Sequence, residues 1–175
     1  MGIPVFAPYK NLEPMDFRGM PGLIVQAFDL TDLNGKWMHT NADGSECPCY
    51  GFLITHPEMG RLLYITDTEL VKWRFKDIDH ILISCNYIKD NLDGENIAKR
   101  NHVLRGHMEL ETVKEFIKAN ASDILQNVIL CHLSEQNSDA ERMVTEVQKI
   151  VPGANVHVAE RGLEVGLRKK GECPF

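Results

Sequence analysis

The chain has 175 residues, of which 43% are hydrophobic and 25% charged, and carries a formal net charge of −6. That size suits one domain with a real core, or most of a larger domain, in an ordinary globular protein. The acidic balance argues against broad affinity for duplex nucleic acid, which needs a basic face, and no apolar run approaches the roughly 18 residues of a membrane span.

Taken in chain order, Ile3–Ala7 reads as a short strand, and a connection containing Pro, Gly and Met follows it. Leu23–Phe28 is a second strand. Residues 32–48 are loop-like, with turn signals at Asn34-Gly35 and Asp43-Gly44 around Lys36-Trp37-Met38-His39. Tyr50–Thr55 and Leu62–Thr66 predict a hairpin joined through His56–Gly60, and Ile81–Ile83 predicts a buried strand.

Helical patterns come next. One lies roughly between Lys89 and His102, and a second carries Leu110, Val113, Phe116 and Ile117 on one face. A strand at Val128–Leu130 leads to His132. A third helix opens at Ser138, with Glu141 completing a capping box, and its stripe of Met143, Val144, Val147 and Ile150 stops at Pro152-Gly153. Val156–Ala159 and Leu163–Leu167 predict a closing hairpin around Arg161-Gly162. Strands cluster first and alternate with helices later, which indicates a layered mixed α/β domain.

The five cysteines, Cys47, Cys49, Cys85, Cys131 and Cys173, form no C-x-x-C pair and read as reduced thiols. The single residue between Cys47 and Cys49 is a poor spacing for chelation. Basic residues concentrate only at Lys99-Arg100 with Arg105 and at Arg168-Lys169-Lys170. The first residues lack the basic start and apolar block of a signal peptide, so a cytoplasmic protein is the expectation.

Two runs carry the strongest chemical signal. Leu63-Tyr64-Ile65-Thr66-Asp67 and Val128-Ile129-Leu130-Cys131-His132 are apolar strands that stop on a metal-binding residue. Buried strands that end this way present ligands at one rim of a sheet.

In order along the chain, the blocks are Phe28-Asp29-Leu30 leading to His39, Cys49-Tyr50-Gly51-Phe52, Tyr64-Ile65-Thr66-Asp67, Ile83-Ser84-Cys85-Asn86-Tyr87, Arg105-Gly106-His107, and His132-Leu133-Ser134 with Asn137. Together they resemble the metallo-β-lactamase fold, in the branch that holds ribonuclease Z and related exonucleases and phosphodiesterases. The resemblance spans nearly the whole sequence, from Gly2-Ile3-Pro4-Val5-Phe6 to Leu163-Glu164-Val165. It implies a hydrolase on an αβ/βα sandwich with two divalent metal ions, zinc first and manganese as the alternative.

By position, the resemblance implies that His39 binds the first metal, with Asp43 as the substitute in the same loop. It implies that Asp67 bridges both metals and that His132 binds the second. It makes His107 the group that contacts the scissile phosphate and protonates the leaving oxygen, a task suited to imidazole. Asn86 and Tyr87 are the implied substrate-binding residues. Two positions depart from the family. Ser84 stands where a motif often begins with glutamate, which removes an orienting carboxylate, and Met108-Glu109 stands where a small hydroxyl residue commonly caps the next helix.

The family's H-x-H-x-D-H cluster falls just before the segment that Gly2–Phe6 resembles, and there the sequence has only Met1. The sequence therefore reads as the later two-thirds of such a domain, incomplete on its amino-terminal side. Each metal would keep one histidine and a share of Asp67, too few ligands for a firm site. The expectation is weak metal binding and weak or absent catalysis by this chain alone. One apolar sheet face and strand edges should be uncovered, to be met by self-association or by a separate amino-terminal piece. The implied substrate is a phosphodiester, either a nucleic-acid end or a cyclic nucleotide, and the acidic charge tilts toward a small nucleotide. The alternative is a non-catalytic, truncated module that acts as an interaction partner.

Overall fold

A computed structural model describes residues 21–41, 43–92 and 106–171. The expected strand Ile3–Ala7, the helix between Lys89 and His102 beyond Leu92, Arg105 and Cys173 lie outside the described residues. The chain forms β1 (Ile24–Asp29), β2 (His39–Thr40), β3 (Glu46–Cys47), β4 (Tyr50–His56), β5 (Gly60–Ile65) and β6 (His80–Ser84). Helix α1 (Leu110–Asn120), β7 (Asn127–Cys131), helix α2 (Ala140–Ile150) and β8 (Asn155–Val158) complete it.

Six strands make one sheet in the order β1-β4-β5-β6-β7-β8. β4 pairs antiparallel with β1 and β5, whereas β5, β6, β7 and β8 are mutually parallel. The short turn after His56 can only return antiparallel, and parallel pairs need crossovers, which α1 and α2 supply for β6–β7 and β7–β8 while residues 66–79 join β5 to β6 without a helix. Both crossovers step the same way across the sheet, so right-handed connection puts both helices on one face. There they meet, and Lys114 reaches Glu146 at 3.2 Å.

The register explains the core. Leu53, Leu63, Ile65, Ile81, Ile83, Val128 and Leu130 share the helical face, none more than 7% exposed. Val113, Ile117, Met143 and Val147 close it from above. Gly51 sits opposite Phe28, and a Cβ there would come within 2.2 Å of the Phe28 ring. The other face carries Phe52, Ile54, Leu62, Tyr64 and Leu82, which are half-buried. One helical layer over a sheet whose second apolar face is half-buried is a mixed α/β, partial sandwich. None of the helices in the described residues is long and apolar enough to cross a membrane.

Several local expectations are corrected. Residues 32–48 are not wholly loop, because β2 and β3 pair antiparallel across the Asp43-Gly44 turn. The last helix is capped by Asp139, whose carboxylate accepts from Arg142 N at 2.9 Å; the Ser138 hydroxyl instead donates to Ser134 O at 2.5 Å. Glu109 caps α1 in place of a hydroxyl residue, accepting from Glu111 N at 2.7 Å. What is described of the expected helix from Lys89 is a single 3-10 turn, Lys89–Leu92. Leu163–Leu167 is not a strand. That segment returns without regular structure to dock through Lys169 N on Glu58 O at 2.8 Å and through Gln126 Nε2 on Arg168 O at 2.5 Å.

A buried polar network ties down the opposite end of the parallel strands. His80 is fully buried, with Nε2 at 3.0 Å from Met59 O and Nδ1 at 3.0 Å from Asn127 Nδ2. Burial holds its imidazole below the ordinary value of 6.5, against the weaker pull of the neighbouring carbonyls and Asp79. A depressed imidazole contributes stability that is complete above 6.5 and is lost as pH falls toward the folded value, because the unfolded chain takes up the proton first. Urea denaturation from pH 7.5 to 5 should therefore show wild type losing more stability on acidification than His80→Gln. Parallel pH profiles for the two proteins would contradict the role given to His80.

Candidate active site

The parallel strands β5, β6 and β7 end at one edge of the sheet, and three loops leave from there. Asp67 follows β5 and His132 follows β7, with β6 between them. Both residues adopt the left-handed conformation, at φ 57 and φ 56. For a side chain bearing a Cβ this costs on the order of 1 kcal/mol or more, so the surroundings must impose it. The bend turns each side chain off the sheet, leaving Asp67 44% and His132 49% exposed.

Asp67 Oδ1 stands 3.6 Å from His132 Nδ1. Two donors about 2.1 Å from a tetrahedral zinc lie about 3.4 Å apart, so the pair fits one shared cation. A crevice at the carboxyl ends of parallel strands is also where α/β sheets generally bind ligands.

His39 packs on Gly106, the residue directly before His107. A Cβ on Gly106 would come within 2.4 Å of His39 Nδ1, and Gly106 has φ 77, so only glycine is accommodated without strain. Gly106 N donates to Glu69 Oε1 at 2.8 Å, which anchors this turn to the loop after Asp67. His39 Nδ1 is buried and has no hydrogen-bond partner among the described residues, an orphaned donor or acceptor of a kind rarely left unused. His107 Nδ1 lies 3.0 Å from Gly106 O. The substitute Asp43 is engaged elsewhere: Ser45 donates to it from Oγ at 2.6 Å and from N at 2.9 Å, and these bonds hold its carboxyl below the usual range.

Asn86 and Tyr87 lie behind this edge rather than in front of it. Asn86 is 8% exposed, and its amide is shared between Met108 N at 2.8 Å and His132 O at 2.9 Å. Tyr87 is 5% exposed, and burial, reinforced by Glu109 and Glu69, pushes its phenol up to about 12. Both side chains are packed into the protein in this conformation, which differs from a substrate-facing placement. Ser84 is fully buried, beside the Cys131 thiol. Burial also pushes the Cys49 and Cys85 thiols up to about 12 and Cys131 to about 11. Cys47, Cys49, Cys85 and Cys131 are all free.

The sequence reading missed Glu69 and Gly106 as supports. Glu69 follows Asp67 by two positions and carried no signal of its own, whereas a glycine directly before His107 was a visible hint of a left-handed turn. Among the described residues no group of three His, Cys, Asp or Glu side chains is placed to hold one ion. The pair Asp67–His132 fits a cation; a complete ligand set does not appear there.

No family model and no curated protein matches the chain. Among solved structures it is similar to unliganded yeast PDE1, with a TM-score of 0.51 and 12% identity over 81% of this chain. The match spans 45% of that protein's chain, so this chain corresponds to less than half its length. At that identity the likeness concerns the fold alone.

Replacing Gly106 by Ala puts a Cβ against His39 and strains the turn. Chemical denaturation of Gly106→Ala should show a loss of about 1–3 kcal/mol, with the His39 imidazole resonances displaced. Unchanged stability and unchanged His39 signals would contradict the packing described.

Proposed function

We propose that the chain belongs to a lineage of metal-dependent phosphodiester hydrolases, and that its site is completed by ligands from a further polypeptide segment. The single observation that carries this is the approach of Asp67 to His132 at 3.6 Å, on half-exposed side chains at the ends of β5 and β7. The fold shared with yeast PDE1, a name that denotes a phosphodiesterase, supports the reaction class.

In this reading Asp67 and His132 would hold a divalent cation, zinc first and manganese as the alternative, and His39 would serve a second ion. A bound cation of this kind supplies an acidified water and offsets phosphate charge. His107 protonates the leaving oxygen. Its Nδ1 lies 3.0 Å from Gly106 O, and imidazole is suited to passing a proton near neutral pH. The substrate is a phosphodiester, a cyclic nucleotide or a nucleic-acid end, and the net charge of −6 favours the smaller one.

A second reading, a non-catalytic module that acts as an interaction partner, is favoured by one specific observation. Among the described residues, two donors at the Asp67–His132 edge are fewer than the three or four protein ligands of a stable zinc site. A separate amino-terminal piece or a second copy of the chain would be its partner.

Calorimetric titration with Zn²⁺ and Mn²⁺ tests the reading, alongside cleavage of bis(p-nitrophenyl) phosphate and of a cyclic nucleotide. Wild type should bind the cation, and Asp67→Ala should bind about ten-fold or more weakly. Hydrolysis should rise when a polypeptide carrying H-x-H-x-D-H is added. Equal binding by both proteins, with no hydrolysis alone or with that polypeptide, would overturn the enzymatic reading.

A further inference from the structure

We infer that Asn86 is a positioning residue of this site, a buried amide that sets the separation between the His132 turn and the His107 turn without touching substrate. The inference rests on the function proposed above and divides the labour within that site.

Asn86 leaves the end of β6, the strand flanked by β5 and β7, so it sits behind both turns. All of its polar groups are engaged. Its backbone N donates to Met108 O at 2.8 Å, and its carbonyl accepts from Ser134 N at 2.9 Å. Its side-chain Oδ1 accepts from Met108 N at 2.8 Å, and Nδ2 donates to His132 O at 2.9 Å. The acceptor end of one amide therefore serves one turn, and the donor end serves the other.

The two bonded groups are the ones that matter for geometry. His132 is the residue held at φ 56, a conformation that persists only where its surroundings impose it. Met108 directly follows His107, whose ring is bonded to the carbonyl of Gly106. The bridge between Tyr87 and Glu109 then continues the attachment of this turn to the strand end.

Chemistry restricts the position to asparagine. Aspartate at neutral pH supplies acceptors but no donor, leucine supplies neither, and glutamine carries the amide one methylene farther out. Turning the amide toward a substrate would strand the buried N–H of Met108 or release His132 O, each a costly loss. A substrate contact and this clamp therefore compete, and the clamp already holds both ends.

The test uses the full chain with Asn86→Asp and Asn86→Ala, each checked for folding by circular dichroism. Asn86→Asp keeps the acceptor for Met108 and loses the donor to His132. Its His132 backbone and imidazole resonances should shift while those of Met108 and His107 stay in place. Asn86→Ala should displace both sets. Where hydrolysis of bis(p-nitrophenyl) phosphate is measured, kcat should fall about 10- to 100-fold in Asn86→Asp with KM within about two-fold.

Equal displacement of both turns in Asn86→Asp would overturn the inference. So would no displacement in either variant, or a raised KM with kcat unchanged. Should neither variant fold, wild type decides. A through-hydrogen-bond coupling from Asn86 Nδ2 to the His132 carbonyl carbon, with slow exchange of that side-chain proton, is expected, and its absence with fast exchange would contradict the clamp. Absence of hydrolysis in wild type would count against the proposed function and leave the resonance pattern to decide the role of Asn86.

Discussion

Parallel hydrogen bonding of β6 to β5 on one side and β7 on the other fixes three strand ends at one edge of the sheet. The apolar cores of these strands leave little choice. Leu63, Ile65, Ile81, Ile83, Val128 and Leu130 are all fully buried, and slipping any strand by one residue would turn its whole apolar set to the wrong face. The residues after the strands therefore inherit fixed positions. Asp67 and His132, far apart in sequence, arrive at 3.6 Å because the sheet holds their strands in register. The left-handed bends then project the two side chains into solvent instead of along the strand.

Hydrogen bonds and close packing tie the loops at this edge together. Glu69 pins Gly106, Gly106 admits His39, and Asn86 ties His132 to the turn behind His107. Each contact joins segments distant in the chain, so the edge is cross-linked although its loops lack regular structure. The acidic and imidazole groups of Asp67 and His132 remain half-exposed on this support. Rigid positioning with open side chains is what a site for an incoming cation or phosphate requires.

Much of the fold could be read directly from residue patterns. The runs at Leu23–Phe28, Tyr50–Thr55, Leu62–Thr66, Ile81–Ile83 and Val128–Leu130 each became a strand within a residue or two, because continuous or alternating apolar residues demand burial. The stripe Leu110, Val113, Phe116 and Ile117 became α1 for the same reason. Weak local signals failed. Leu163–Leu167 alternates like a strand, yet β8 ends the sheet and the tail docks through backbone groups instead. Asp139 displaced Ser138 as a cap because a carboxylate one position later reaches Arg142 N. At the site, Asp67 and His132 could be found because each ends an apolar run. The clamp made by Asn86 could not, since hydrogen bonds between distant loops leave no trace in spacing, and an asparagine after a strand reads equally as a ligand contact.

The half-buried face with Phe52, Ile54, Leu62, Tyr64 and Leu82 lies across the sheet from the helices, and the Asp67–His132 pair lies at the carboxyl ends of its parallel strands. The central claim is that cations gather at the Asp67–His132 edge and nowhere else on an acidic surface. Adding Mn²⁺ in small steps to the isotope-labelled full chain tests it directly, since a paramagnetic ion broadens the resonances nearest to it. The account predicts that Thr66, Asp67, His132 and Leu133 broaden first, with Asp123 and Gly153 at the far end of the sheet unaffected. Uniform broadening, or broadening centred on the carboxylates of Glu111 and Glu146, would contradict it.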